Sequence, residues 1–294
     1  MPEVAWRLVD QGDEPALRSL LLPREIHATS LSERIRTPAP FRNDRDRLLV
    51  HPAGIRRLDA VLFLSASGCA MPLVDPGLDE GQAQGLMSAL KACKTVRAFR
   101  PASCVGLESA TRALQLAMGW RSALTIRYDA MSLDAADFTP AASAVQSAVI
   151  FSDTTTRYAV PDDLEALMPV ARAYEMEEVS TPMHPYDEAV CRANQARSLA
   201  RYRVRILEVD GRVAARAQTN AVGYAREQLG GIIVLSQLRG RGYGRRVVTE
   251  LAASILGEGK GLSLFVKKGN VPARGLYEDL GFRVSGDFRV DYFS

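Results

Sequence analysis

Leu238-Arg239-Gly240-Arg241-Gly242-Tyr243-Gly244-Arg245 is the stretch on which the reading of this chain turns. It follows an apolar run, Gly231-Ile232-Ile233-Val234-Leu235, and precedes Val247, Val248, Leu251 and Ile255, which recur at helical spacing. Strand, glycine turn and helix start together make an anion site. The first amides of a helix have no intrahelical partner and carry the positive end of the dipole. Glycine adopts positive φ and lets the backbone approach a phosphate. Arg239, Arg241, Arg245 and Arg246 add charge, so the expected ligand bears a phosphate or pyrophosphate. Such a turn also occurs without a ligand, with its arginines as a solvated face. Two stronger motifs are excluded. There is no Gly-x4-Gly-Lys-Ser/Thr, and Val247 stands where a dinucleotide fingerprint needs its third glycine.

Downstream, Gly261-Leu-Ser-Leu-Phe-Val266 reads as a short strand, followed by Asn270-Val-Pro-Ala-Arg-Gly-Leu-Tyr-Glu-Asp-Leu-Gly-Phe282. Here the chain resembles the GCN5-related N-acetyltransferase (GNAT) superfamily. Arg239-x-x-Gly242-x-Gly244 matches its coenzyme A loop. Asn270, Ala273, Leu276, Tyr277, Gly281 and Phe282 match its later Asn-x-x-Ala-x-x-Leu-Tyr-x-x-x-Gly-Phe signature. The resemblance covers roughly residues 155 to 294.

The resemblance implies a mixed α/β fold of the acyl-CoA N-acyltransferase kind, with a splayed sheet. It implies acetyl-CoA as donor and a primary amine, on a small molecule or a protein, as acceptor. Ile233, Val234 and Leu235 would pair with the pantetheine. Arg239, Gly240, Arg241, Gly242, Tyr243, Gly244 and Arg245 would hold the pyrophosphate. Asn270 would bind the cofactor or cap the helix that follows. Tyr277 would protonate the departing thiolate, although its helical spacing with Ala273, Leu276 and Leu280 also suits a core residue. A general base is not identified: the strand before the loop lacks a glutamate, and Glu175, Glu177, Glu178, His184 and Asp187 are the candidates in chain order. That gap keeps a second reading open, a non-catalytic acyl-CoA sensor or docking module.

A length of 294 residues suggests two domains, an N-terminal α/β domain over 1–145 and the acetyltransferase domain over 150–294. A net charge of +3 is too balanced for a nucleic-acid partner. The four cysteines are scattered and only three histidines occur, so neither a metal site nor a disulfide framework is expected. No run has the length of a membrane span and the N-terminus shows no signal segment, which points to the cytoplasm. Oligomeric state is left open, a dimer among the options.

In chain order, residues 13–22 and 24–35 read as two short helices broken near Pro23, and 36–50 as an exposed loop. Ala60–Ala66 and Cys69–Val74 read as a hairpin, Asp79–Lys94 as a helix, Thr95–Phe99 as a strand, Gly106–Met118 as a helix and Ala123–Tyr128 as a strand. This order resembles a degenerate copy of the acetyltransferase fold without its Arg-x-x-Gly-x-Gly loop. Residues 132–148 read as a linker, and Ala148–Phe151 as a strand. Asp162 or Asp163 is expected to cap a helix running to about Val179, and a second helix spans Asp187–Leu199. A meander then turns at Asp210-Gly211, and Arg283–Val284 with Phe288–Tyr292 close the domain.

Overall fold

The computed structural model describes residues 5–36, 46–54, 57–140 and 154–294. The chain divides into two compact units. Unit 1 comprises Met1–Met131, Phe265–Gly269 and Val284–Ser294; unit 2 comprises Ser132–Leu264 and Asn270–Arg283. Residues 265–269 and 284–294 thus fall with the N-terminal half. The units interleave along the chain, where the sequence reading draws one boundary at 145–150.

Unit 2 carries the signature residues. Strands β7 (Thr154–Tyr158), β8 (Val204–Val209), β9 (Arg212–Val222) and β10 (Arg226–Val234) pair antiparallel in sequence order, and β11 (Gly261–Lys267) pairs parallel to β10. The β8–β9 turn is Asp210-Gly211, with φ of 50° and 71°. Positive φ at both central residues is what a tight hairpin with right-handed twist requires. Helices α6 (Leu164–Tyr174) and α7 (Glu188–Arg201) cover one face, where Leu167, Val170 and Leu199 pack on Val204, Ile206, Val213 and Ile233. Arg205 lies between Val204 and Ile206 and pairs with Glu250 of α8 (Tyr243–Gly257). Strand alternation therefore puts α8 on the opposite face. The apolar stripe of α8 is as expected: Val247, Val248, Leu251 and Ile255 are fully buried, each contributing about 1.5–3 kcal/mol relative to exposure. Helix α9 (Val271–Asp279) follows β11.

The start of α6 departs from expectation. Asp163 does not cap forward. Its carboxylate reaches back to the Val160 N–H (2.8 Å) and takes both guanidinium nitrogens of Arg157 (2.7 and 2.8 Å). Asp187, by contrast, caps α7 on the Val190 N–H at 2.9 Å. Between the two helices, Glu175–Val179 forms one π-helical stretch.

Unit 1 contains β1 (Arg7–Leu8), α1 (Glu14–Leu21), α2 (Glu25–Arg36), β2 (Arg47–Gly54), β3 (Arg57–Leu64), β4 (Cys69–Val74), α3 (Glu80–Ser88), α4 (Lys94–Ala98), β5 (Ser103–Leu107), α5 (Glu108–Met118), most of β6 (Leu124–Leu133) and nearly all of β12 (Arg283–Tyr292). Its strand order is β1-β2-β3-β4-β5-β12-β6. The core includes Leu49, Leu62, Leu64, Met87, Leu90 and Leu114. Three antiparallel strands, a helix region, a strand parallel to the third and another helix repeat the order seen in unit 2.

Four expectations in and near this unit are corrected. Residues 47–50 are strand rather than loop, with Leu48, Leu49 and Val50 buried; 37–45 lie outside the described residues. Of Thr95–Phe99, residues 95–98 are helical and only Phe99 is extended, the turn being closed by the Arg97 N–H on the Cys93 carbonyl, because a five-residue stretch carries no period long enough to separate the two states. Strand β6 continues through Leu133 since Ala130, Met131 and Leu133 are buried, so the linker cannot begin at 132; 141–148 and the strand expected at 148–151 fall outside the described residues. The closing pair is one ten-residue strand, β12.

Among the described residues, no helix is long and apolar enough to cross a membrane.

Candidate active site

The site is built where β10 loses a neighbour. Along β9 the pairing of β10 runs to Val234↔Ala215, but along β11 it stops at Leu229↔Leu264. The register shifts between Gly230 and Ile233, and Gly231 has φ +58°, the signature of a bulge. Two side chains hold that bulge. Arg216 Nε donates to the Gly231 carbonyl at 3.1 Å, and Gly231's backbone also hydrogen-bonds the Tyr174 phenol. Beyond the bulge, the Leu235 N–H donates to the Ala214 carbonyl at 3.0 Å. Antiparallel alternation then turns the N–H and C=O of Val234 away from β9, toward the side β11 has left. Ile233 is a core residue, while Val234 and Leu235 are half-buried.

The glycine turn follows directly. After a 3₁₀ turn at Ser236–Leu238, Gly240 and Gly242 take φ of 76° and 79°. Gly242 is the N-cap of α8 and supplies no side-chain cap. The first helical bond runs from the Arg246 N–H to the Gly242 carbonyl (3.0 Å), leaving the amides of Gly244 and Arg245 without an intrahelical acceptor. A Cβ on Gly244 would stand 3.3 Å from Val234 Cγ2, so the helix start lies tight against β10. Tyr243 is buried and anchors that first turn.

The arginines contribute less charge than their number suggests. Arg239 Nη2 pairs with Glu177 at 2.5 Å and its Nε donates to the Val234 carbonyl at 3.0 Å. Arg245 pairs with Asp279, and Arg246 with Glu250 and Thr154. Arg241 is exposed and, among the described residues, has no carboxylate partner. The positive potential of the turn therefore rests on main-chain amides and Arg241. The corresponding turn of unit 1 is acidic instead. Asp79 caps α3 on the Gln82 N–H (2.8 Å), and Asp75 accepts from the Gly77 N–H (2.9 Å) and pairs with Arg24.

The third part is the start of α9. Asn270 caps it, Oδ1 accepting from the Ala273 N–H at 3.2 Å, while Nδ2 donates to Glu178 Oε1 at 3.3 Å. About two helical turns on, Tyr277 is 6% exposed and packs edge-on against Phe282, centroids 5.8 Å apart. Burial, with Tyr174 and Glu178 nearby, pushes its phenol pKa well above the ordinary value. The hydroxyl therefore stays protonated at neutral pH, as a proton donor must.

The π-helical stretch sorts the base candidates. It brings Glu177 to Arg239 and Glu178 to Asn270, the cap of the helix that carries Tyr277. Asp187 is occupied as a cap, and His184 is exposed in a bridge with Thr181. Sequence reasoning missed Arg216 and Tyr174. The signal for Arg216 was slight: alternation groups it with Arg212 and Gln218, and a register shift opposite residues 213–215 brings it to the same face as Ile206. No group of three or more potential metal ligands occurs among the described residues.

Comparison with known proteins fits this geometry. Residues 211–291 match the family described as FR47-like protein. No curated protein matches the chain. Among solved structures, the chain is similar to a GNAT-family acetyltransferase from Colwellia psychrerythraea (14% identity, 98% of this chain and 99% of that one, TM-score 0.55). It is also similar to a tandem GNAT protein from the clavulanic acid biosynthesis pathway (17%, 99% and 98%, TM-score 0.57) and to a GCN5-related N-acetyltransferase from Sphaerobacter thermophilus (16%, 99% and 95%, TM-score 0.57). At these identities the likeness is one of fold, and it extends over both halves of the chain.

Proposed function

We propose that this chain, which has the fold of the GCN5-related N-acetyltransferases, moves an acetyl group from acetyl-CoA to a primary amine. One observation carries the reading: an uncapped helix start with two positive-φ glycines lies against a strand edge that has lost its parallel neighbour. Main-chain amides at Gly242–Arg245 and the Arg241 guanidinium suit a diphosphate. The outward N–H and C=O of Val234 suit the amides of pantetheine, added to the open edge as an extra strand. Arg239, which now donates to the Val234 carbonyl, yields that acceptor as the ligand arrives.

The chemistry then follows from the residues at the end of that edge. The amine nitrogen attacks the thioester carbon and the C–S bond breaks. Tyr277 donates its phenolic proton to the departing sulfur. Glu178, held by Asn270 at the start of the helix that carries Tyr277, takes the proton that the amine sheds. Calorimetry with CoA and thioester turnover across a panel of amines test the scheme. Binding in the micromolar range together with amine-dependent release of free thiol is expected; folded protein that gives no heat with CoA ends the reading.

The absence of a carboxylate on β10 beyond Glu227 favours a second reading, an acyl-CoA sensor without turnover. CoA binding that is undiminished while every amine remains unacetylated would select it.

A further inference from the structure

A buried cation lies on the face of β9 covered by α6 and α7. Arg216 is 3% exposed. Its Nε is held by the Gly231 carbonyl, one Nη nitrogen donates to Gln195 Oε1, and its guanidinium lies over the Tyr174 ring, 5.3 Å from the centroid. Among the described residues, no carboxylate comes within ion-pair distance of it; Glu175, Cys191 and Tyr174 are the titratable groups that feel its charge. Burial drives its pKa down to about 10, outweighing the opposite pull of Tyr174, Cys191 and Glu175.

The neighbours are incomplete in the same way. Gln195 and Gln218 are 4% and 8% exposed, yet Gln195 Nε2 and Gln218 Oε1 have no hydrogen-bond partner among the described residues. Gln218 lies against Gly231, where a Cβ would meet its side chain at 2.7 Å, and its Nε2 reaches Ser198 Oγ at 3.3 Å. Water could satisfy both amides, but water does not neutralise a guanidinium. Leaving a buried charge uncompensated costs several kcal/mol in order of magnitude, and a forked planar donor is the natural partner of a carboxylate. The location is specific. Arg216 and Tyr174 both grip the bulge at Gly231, four residues or fewer before the open edge at Val234 and Leu235. The cluster thus borders the strand end at which the thioester is proposed to lie.

We infer that Arg216, with Gln195, binds a carboxylate on the acceptor, so that the amine acetylated belongs to an amino acid or another amino-carboxylate. This rests on the acetyltransferase reading for its word "acceptor", but the carboxylate site can be tested apart from turnover. The full-length protein, saturated with CoA, is titrated by calorimetry with alanine, β-alanine and 4-aminobutyrate, each against its carboxamide. At least one acid is expected to bind about tenfold or more tightly than its amide, the range of a charge-assisted hydrogen bond, and acetylation is expected to show the same ratio in kcat/KM. In Arg216→Gln the ratio should collapse toward unity. Should that variant fail to fold, Arg216→Lys keeps the charge, loses the fork and should reduce the ratio. Equal binding of acids and amides by the unaltered protein, or no binding of either, overturns the inference. Acetylation of both at equal rates also overturns it while leaving the acetyltransferase reading intact. Preferential binding of acids without turnover keeps the carboxylate site and sinks acetyl transfer.

Discussion

Arg241 and Arg245 are four residues apart on one glycine turn, and their environments assign them different weights. Arg245 is paired with Asp279, so recruiting it to a ligand phosphate means breaking a contact already made. Arg241 is exposed and has no carboxylate partner among the described residues. Arg241→Ala should therefore weaken CoA about tenfold, and Arg245→Ala by only about twofold; calorimetry on both variants checks the order, and a larger loss at Arg245 would contradict it. Tyr277 invites a sharper test. Its phenol stays protonated through neutral pH because it is buried. Tyr277→Phe should lower kcat about 100-fold with CoA affinity nearly unchanged. In the unaltered protein, any kcat should show no alkaline fall from this phenol up to pH 10, since its pKa is raised and the donor form persists. An unchanged kcat in the variant would return Tyr277 to the core role that its helical spacing also allows.

At the scale of elements, the junction of β7 with α6 is set by one ion-pair group. Arg157 bridges Asp163 and Glu208 and so ties the helix start to the neighbouring strand. The hydrogen bond from Arg157 lowers the Asp163 pKa in the folded state, outweighing the opposite effect of burial. A depressed carboxylate pKa stabilises the fold above its unfolded value, near 4, and the contribution disappears as pH falls through the folded value. The pair is partly solvated, Arg157 being 41% exposed, so Asp163→Asn should cost only about 1 kcal/mol at pH 7. Urea denaturation at pH 7 and pH 3 reads the sign: the gap between variant and parent should narrow at the lower pH. The same scale explains α4. Thr95–Phe99 has strand-like composition, but Val96 is buried in the unit 1 core from a helical turn, and packing overrides a propensity worth tenths of a kcal/mol per residue.

At the scale of the molecule, the last strand of the chain is built into unit 1. Strand β12 pairs with β5 from Phe288↔Leu107 to Tyr292↔Ser103. Fully buried Asp291 accepts from Gln115 Nε2 (2.6 Å), Thr125 Oγ1 (2.5 Å) and Arg289 Nε (2.7 Å). A fragment of residues 150–294 lacks β5, Gln115 and Thr125, so β12 would present an unpaired edge and a carboxylate stripped of two donors. Light scattering on that fragment should find oligomers or aggregate rather than a stable monomer; a monomer melting like the full chain would contradict this.

Local pattern sufficed for much of the site. The helix after the glycine turn, the Asp210-Gly211 hairpin, the cap at Asn270 and the order of strands in unit 2 were legible because each depends on residues within one or two turns of one another. The interleaving of the units, the continuous β12 and the loss of β11 beside Gly230 were not, since they depend on pairings between strands far apart in sequence. The same holds for Arg216: only the meeting of α6, α7, β9 and β10 leaves it buried beside Gln195, Tyr174 and Gly231 with, among the described residues, no carboxylate within ion-pair distance. By itself the sequence determined a helix start shaped for an anion, because backbone φ and unpaired amides are local properties. Tertiary structure decided which charges remain to meet that anion and which are spent on the protein itself, because an ion pair forms only between side chains that folding has brought together.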